Sequence, residues 1–121
     1  MTRSAAALVG LCAIAAAGLT ASCFSERTTG ATVECTSTSV PCLVNIRDFA
    51  FEPATLRVRA GATVRWVNQG PTAHTSTADD GAWDSPTLAT GAEFSQGFPT
   101  AGQFPYHCEP HPTMRATIIV E

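Results

Sequence analysis

Leu56-Arg57-Val58-Arg59-Ala60-Gly61-Ala62-Thr63-Val64-Arg65-Trp66-Val67-Asn68 alternates apolar and polar side chains on either side of a glycine. Leu56 and Val58, then Val64 and Trp66, recur at every second position, which lines one face of a pleated strand with apolar groups. Gly61 supplies the break between the two runs. The same period continues outward over 43–51 on one side and over 92–98, 103–108 and 116–120 on the other, where Ile118 and Val120 repeat the pattern. Gly70-Pro71, Asp80-Gly81, Gly91, Ala101-Gly102 and the Pro110/Pro112 pair separate these segments, and none carries a sustained helical period. Strand-length segments divided by turn residues predict an all-β domain over 40–121, built as a two-sheet antiparallel sandwich.

Upstream the composition changes. Arg3 precedes an uncharged run of small and apolar residues over 5–19, too short and too rich in alanine to remain in a bilayer but suited to a secretory signal. The run ends at Leu19-Thr20-Ala21-Ser22-Cys23, which resembles a bacterial lipobox, with Thr20 a weaker choice than leucine at its position. Residues 1–22 are therefore read as a signal peptide and Cys23 as a lipid-modified first residue. The stretch 23–39, dominated by serine, threonine and other small residues, reads as a tether. This organisation puts the protein in the bacterial cell envelope, in the periplasm or on the outer face of the membrane, with the lipid at Cys23 as its membrane attachment.

Charge excludes one large class of partner. Beyond residue 22 the chain has six arginines, no lysine and ten acids, and the arginines are scattered singly among strands. A nucleic-acid binder needs a basic face, and none can be assembled from this pattern. Asp79, Asp80, Asp84 and Glu109 read as solvated loop residues.

The five cysteines divide by fate. Cys12 leaves with the signal and Cys23 is the lipid site. Cys35 and Cys42 lie close enough to close a small loop in an oxidising compartment. Cys108 is left without a partner, so it is either a buried small hydrophobe or a metal thiolate, and its neighbours must decide.

Those neighbours are Tyr106-His107-Cys108-Glu109-Pro110-His111-Pro112-Thr113-Met114. A thiolate, an imidazole and a thioether fall within one short turn at the end of a strand. Two histidines, one cysteine and a long axial methionine form a trigonal copper site, whereas a thioether is a poor zinc ligand. His74, which follows the 63–68 strand, is the candidate for the second imidazole. His107 is not, because adjacent side chains of a strand point to opposite faces. The expected ligands of one copper ion are thus His74, Cys108, His111 and Met114.

These stretches resemble the cupredoxins, blue type 1 copper proteins, and most closely their amicyanin and plastocyanin branch. The resemblance covers 40–121 and rests on Phe49-Ala50-Phe51-Glu52-Pro53, Gly61-Ala62-Thr63-Val64-Arg65-Trp66-Val67-Asn68, Tyr106-His107-Cys108 and the compact C-x-x-H-x-x-M loop. It implies a Greek-key β-sandwich that carries one electron, as Cu(I) or Cu(II), for a larger redox partner protein. It also implies that His111 lies at the surface as the electron port. Thr75 stands where many relatives have asparagine, which puts in question that asparagine's hydrogen bond to the ligand loop, although the Thr75 backbone N–H can still reach the Cys108 sulfur. The chain is expected to be a monomer and not an enzyme, since copper oxidases and nitrite reductases need further imidazoles and this sequence has only His74, His107 and His111. The alternative within the same chemistry is a copper-handling lipoprotein that stores or delivers the metal.

Overall fold

The computed structural model describes residues 32–121; the expected signal peptide, Cys12, Cys23 and the first part of the tether lie outside them. Among the described residues the chain is all-β. Its strands are β1 (Thr32–Cys35), β2 (Cys42–Arg47), β3 (Ala50–Glu52), β4 (Thr55–Val58), β5 (Ala62–Asn68), β6 (Thr77–Ala78), β7 (Glu93–Phe98), β8 (Gly102–His107) and β9 (Arg115–Val120). They form a five-stranded sheet, in the order β1-β4-β9-β8-β6, and a four-stranded sheet, in the order β3-β2-β5-β7.

The alternating sequence decides which face each strand buries. In β5, Ala62, Val64, Trp66 and Asn68 are buried while the residues between them are half-buried. In β9, Ala116, Ile118 and Val120 turn inward. Trp66 from one sheet meets Tyr106 from the other edge to face, with ring centroids 5.5 Å apart, and Phe51 packs on the same tyrosine at 4.7 Å. Contacts of this kind add about 0.5–1.5 kcal/mol each beyond the area they bury. At the β4–β5 turn Gly61 has φ +95°, a conformation in which a side chain would clash with its own backbone.

The strand directions differ from the antiparallel expectation, because both sheets are mixed. β2 runs parallel to β5, and β4 runs parallel to both β1 and β9. Successive strands here change sheets: β3 belongs to the four-stranded sheet, β4 to the five-stranded one, and β5 returns to the first. The β2–β3 hairpin reverses the chain and the crossing through β4 reverses it again, so β5 re-enters beside β2 running in the same direction.

Two segments depart from their expected bounds. The 43–51 run is broken at Asp48-Phe49, where the chain folds back so that Arg47 pairs with Ala50 and Ile46 with Phe51. Thr32–Cys35, read from sequence as tether, is a strand paired with β4. All but Cys35 of its residues are exposed, so it has no buried face to reveal it in sequence. What holds it is the β4 ladder and the Cys35–Cys42 disulfide, whose Cα atoms are 5.9 Å apart. That bridge joins β1, at the edge of one sheet, to β2 in the other.

Candidate metal centre

Three of the expected ligands converge at one end of the sandwich. The first comes from the loop after β5, shaped by Asn68 at the strand's last position. The fully buried Asn68 side chain donates to the carbonyls of Thr72 and Leu88, both at 2.8 Å, and accepts the Gly70 N–H at 2.9 Å. The His74 backbone is then fixed by reciprocal bonds with Leu88, at 3.1 and 2.7 Å.

The second element is the turn between β8 and β9. Its backbone closes on itself: the His111 N–H donates to the Cys108 carbonyl at 3.2 Å, Met114 N–H to His111 at 2.9 Å, and Cys108 N–H to Met114 at 3.1 Å. Pro110 and Pro112 flank the histidine and limit the conformations the turn can adopt. Cys108 and Met114 are buried, whereas His111 is partly exposed.

Around the sulfur, Cys108 Sγ lies 3.6 Å from His74 Nδ1 and 3.5 Å from His111 Nδ1. The three donor atoms all fall within 4.8 Å of one another. Cys108 is the free cysteine among the described residues, and the Thr75 backbone N–H donates to its sulfur at 3.5 Å. The Thr75 hydroxyl accepts the N–H of Glu109 at 2.8 Å. Threonine therefore supplies a side-chain link to the ligand loop where the sequence left one in question.

His107 lies outside the cluster, as strand alternation requires. Its Nδ1 is 2.6 Å from Asp79 and its Nε2 3.2 Å from Glu109, while Arg115 pairs with the other oxygen of Asp79. The hydrogen bond to Asp79, more than the weaker one to Glu109, raises the imidazole above the ordinary histidine range. Burial pushes the neighbouring Tyr106 phenol far up, so it stays neutral.

Two residues of the site were not singled out from sequence, and both come from the β2–β3 turn. Phe49 is exposed and meets His111 and His74 edge-on, at centroid distances of 5.0 and 5.8 Å. Asp48 Oδ1 lies 2.8 Å from His74 Nε2. The hydrogen bond from the Thr72 hydroxyl, then that from His74, holds the Asp48 carboxyl below its usual range. The Phe49-to-Pro53 stretch marked a family feature, but nothing local indicated that this turn would reach the 74 loop.

A soft thiolate and two imidazoles, with a buried thioether in the same turn, suit copper in both its common oxidation states. Comparison with known proteins agrees with that chemistry. The model of the cupredoxin-like domain family matches residues 10–120, and the chain belongs to that family. It is 32% identical over 84 residues to the amicyanin of Paracoccus denitrificans, covering 65% of this chain and 64% of that protein. It is 35% identical over 72 residues to the chloroplastic plastocyanin of Tetradesmus obliquus, covering 50% of each. The chain thus spans between half and two thirds of the length of these two relatives. Among solved structures, the Cu(I) form of an amicyanin variant superposes with a TM-score of 0.63 at 31% identity, over 67% of this chain and 82% of that one. A copper-containing nitrite reductase from Thermus scotoductus SA-01 gives a TM-score of 0.69 at 22% identity, over 74% of this chain and 28% of the enzyme, a likeness of fold alone.

Proposed function

We propose that this chain is an exported one-electron carrier whose single type 1 copper ion is held by His74, Cys108, His111 and Met114. The observation that carries the reading is the convergence of two Nδ1 atoms and one free thiol within 4.8 Å in a family whose members include amicyanin. When bound, copper would supply a Cu(I)/Cu(II) couple. The protein's part is to keep the donors in one arrangement for both states. Reciprocal bonds to Leu88 fix His74, the closed backbone of the turn fixes Cys108 and His111, and Thr75 ties one loop to the other. Thr75 N–H is the backbone donor to the sulfur among the described residues, and Pro110, having no N–H, adds none. Met114, buried at the end of the turn, would act as the weak axial ligand that tunes the potential.

His111 is the part of the cluster that reaches the surface, and Phe49, Pro110 and Pro112 beside it are exposed. This face would serve as the electron port and dock a redox partner protein against a monomeric carrier. The carrier reading is preferred to an enzyme because the three histidines are accounted for: two stand in the cluster and the third is engaged by Asp79. Export is supported by the Cys35–Cys42 disulfide, a bond that persists in oxidising compartments, and the lipobox-like stretch ending at Cys23 is what argues for a lipid there.

Visible absorption after addition of Cu(II) to the purified protein tests the proposal. An intense blue thiolate charge-transfer band that saturates at one copper per chain is expected; a colourless protein would sink it. Fast electron self-exchange would distinguish the carrier from a copper-delivery protein, which would instead pass its metal rapidly to an acceptor.

A further inference from the structure

Asp48 is remote in sequence from both ligand loops, yet its carboxylate faces the ring edge of His74 opposite the donor atom. His74 Nε2 lies 2.8 Å from Asp48 Oδ1. A carboxylate only accepts hydrogen bonds, so Nε2 carries the proton and Nδ1 keeps its lone pair. That Nδ1 is the atom 3.6 Å from the Cys108 sulfur.

The carboxylate is itself held in place. Its second oxygen accepts the Thr72 hydroxyl at 2.6 Å. At Gly70, the residue whose N–H the Asn68 side chain holds, an added β-carbon would come within 2.6 Å of Asp48 Oδ1 and 3.1 Å of the Asp48 nitrogen. The missing side chain of Gly70 is what leaves room for the carboxylate. His74 is fully buried, so no water competes for its Nε2–H, whereas the Asp48 side chain keeps 21% exposure at the rim.

We propose that Asp48 is a positioning residue of this centre, fixing His74 as the Nε2–H tautomer and so presenting Nδ1 as a ready donor toward Cys108 and His111. The consequence at the metal rests on the copper reading; the tautomer does not. A carboxylate behind an imidazole orients the ring and makes it a more basic ligand. Its negative charge also favours the more positive oxidation state, so its removal should raise the potential.

The test compares Asp48→Ala, Asp48→Asn and Gly70→Ala with wild type, in two readings. Nitrogen-15 NMR of the His74 ring in the metal-free protein, at a pH where the imidazole is neutral, reads the tautomer directly. Competition against a chelator, with Cu(II) alone as the probe, reads the affinity. Asp48→Ala should give a mixture of tautomers and roughly 10–100-fold weaker copper binding, the usual cost of losing such a partner. Gly70→Ala, which displaces the carboxylate without removing it, should do the same. Asp48→Asn keeps an oxygen acceptor, so it should retain the single tautomer.

A folded Asp48→Ala protein with the wild-type ring signature and affinity overturns the proposal, as does an asparagine variant that fails to keep the tautomer. Should the alanine variant not fold, Gly70→Ala decides by the same two readings. A wild-type chain that takes up no Cu(II) would remove the copper reading and leave the ring signature to judge Asp48 by itself.

Discussion

The hydroxyl of Thr75 accepts the N–H of Glu109 at 2.8 Å, which joins the two ligand loops one residue beyond His74 and one beyond Cys108. Its own proton is free to pass to Thr77, which lies 3.0 Å away and in turn donates to Asp84 at 3.0 Å. The result is a directed chain from a backbone N–H through two hydroxyls to a carboxylate. Thr75→Val should leave the Glu109 N–H without its partner and cost about 1–3 kcal/mol, read as a lower denaturant midpoint. The 108–114 turn should also exchange its amide protons faster. An unchanged midpoint would mean that water replaces the hydroxyl.

Cys108→Ser should abolish the blue colour of the copper-loaded protein, because the transition belongs to the copper–thiolate bond. Visible absorption is the measurement, and surviving colour would refute the assignment of Cys108.

Met114→Leu is close to volume-conserving and should cost less than about 1.5 kcal/mol of stability. It should keep the colour and raise the reduction potential, since an axial donor has been removed. Voltammetry decides, and an unchanged potential would make Met114 a core residue only.

The Asp79–His107–Glu109 cluster predicts a pH dependence of stability. His107 titrates above its ordinary value of about 6.5 when folded, chiefly through the hydrogen bond to Asp79. Its contribution is therefore fully present below that ordinary value and is lost as pH rises through the higher folded one. Asp79→Asn should bring the His107 ring resonances back toward ordinary titration. It should also destabilise the protein more below the ordinary value than at alkaline pH, where only the loss of the Arg115 pair remains. Equal destabilisation at both ends of the range would remove the histidine from the account.

Reduction of Cys35–Cys42 reopens a loop of sequence separation 7, for which chain entropy alone gives about 2–3 kcal/mol. The unfolding free energy should fall by that amount with reductant present, read as a lower midpoint in denaturant. Intact mass of the native protein should show one alkylatable thiol, at Cys108, and a chain that begins at lipid-modified Cys23. Two further thiols would deny the bridge, and an unmodified N-terminus elsewhere would deny the anchor.

The part of this molecule most legible in sequence is the part that is local in the chain. Cys108, His111 and Met114 sit in one turn, and strand parity alone turns His107 to the other face, where Asp79 holds it. The β5 and β9 faces are equally plain because burial follows the period of the pleat. β1 was not legible, since its exposed residues carry no apolar alternation. Nor were the parallel pairings, which depend on how the chain passes between sheets. Asp48 and Phe49 stayed hidden for a related reason. An aspartate before a phenylalanine says only that a turn is acceptable there, and its meeting with His74, 26 positions away, exists only in the folded sandwich.

The Cys35–Cys42 bridge closes a covalent ring whose exposed part includes Thr36, Thr38, Ser39, Val40 and Pro41. Such small, uncovered residues are open to proteolytic nicking. A single cut inside the ring detaches nothing, because the two new chain ends remain linked through sulfur. A chain nicked there would part from the residues before Cys35 only when a reductant opens the bridge, so for a cut inside the ring separation requires two events rather than one.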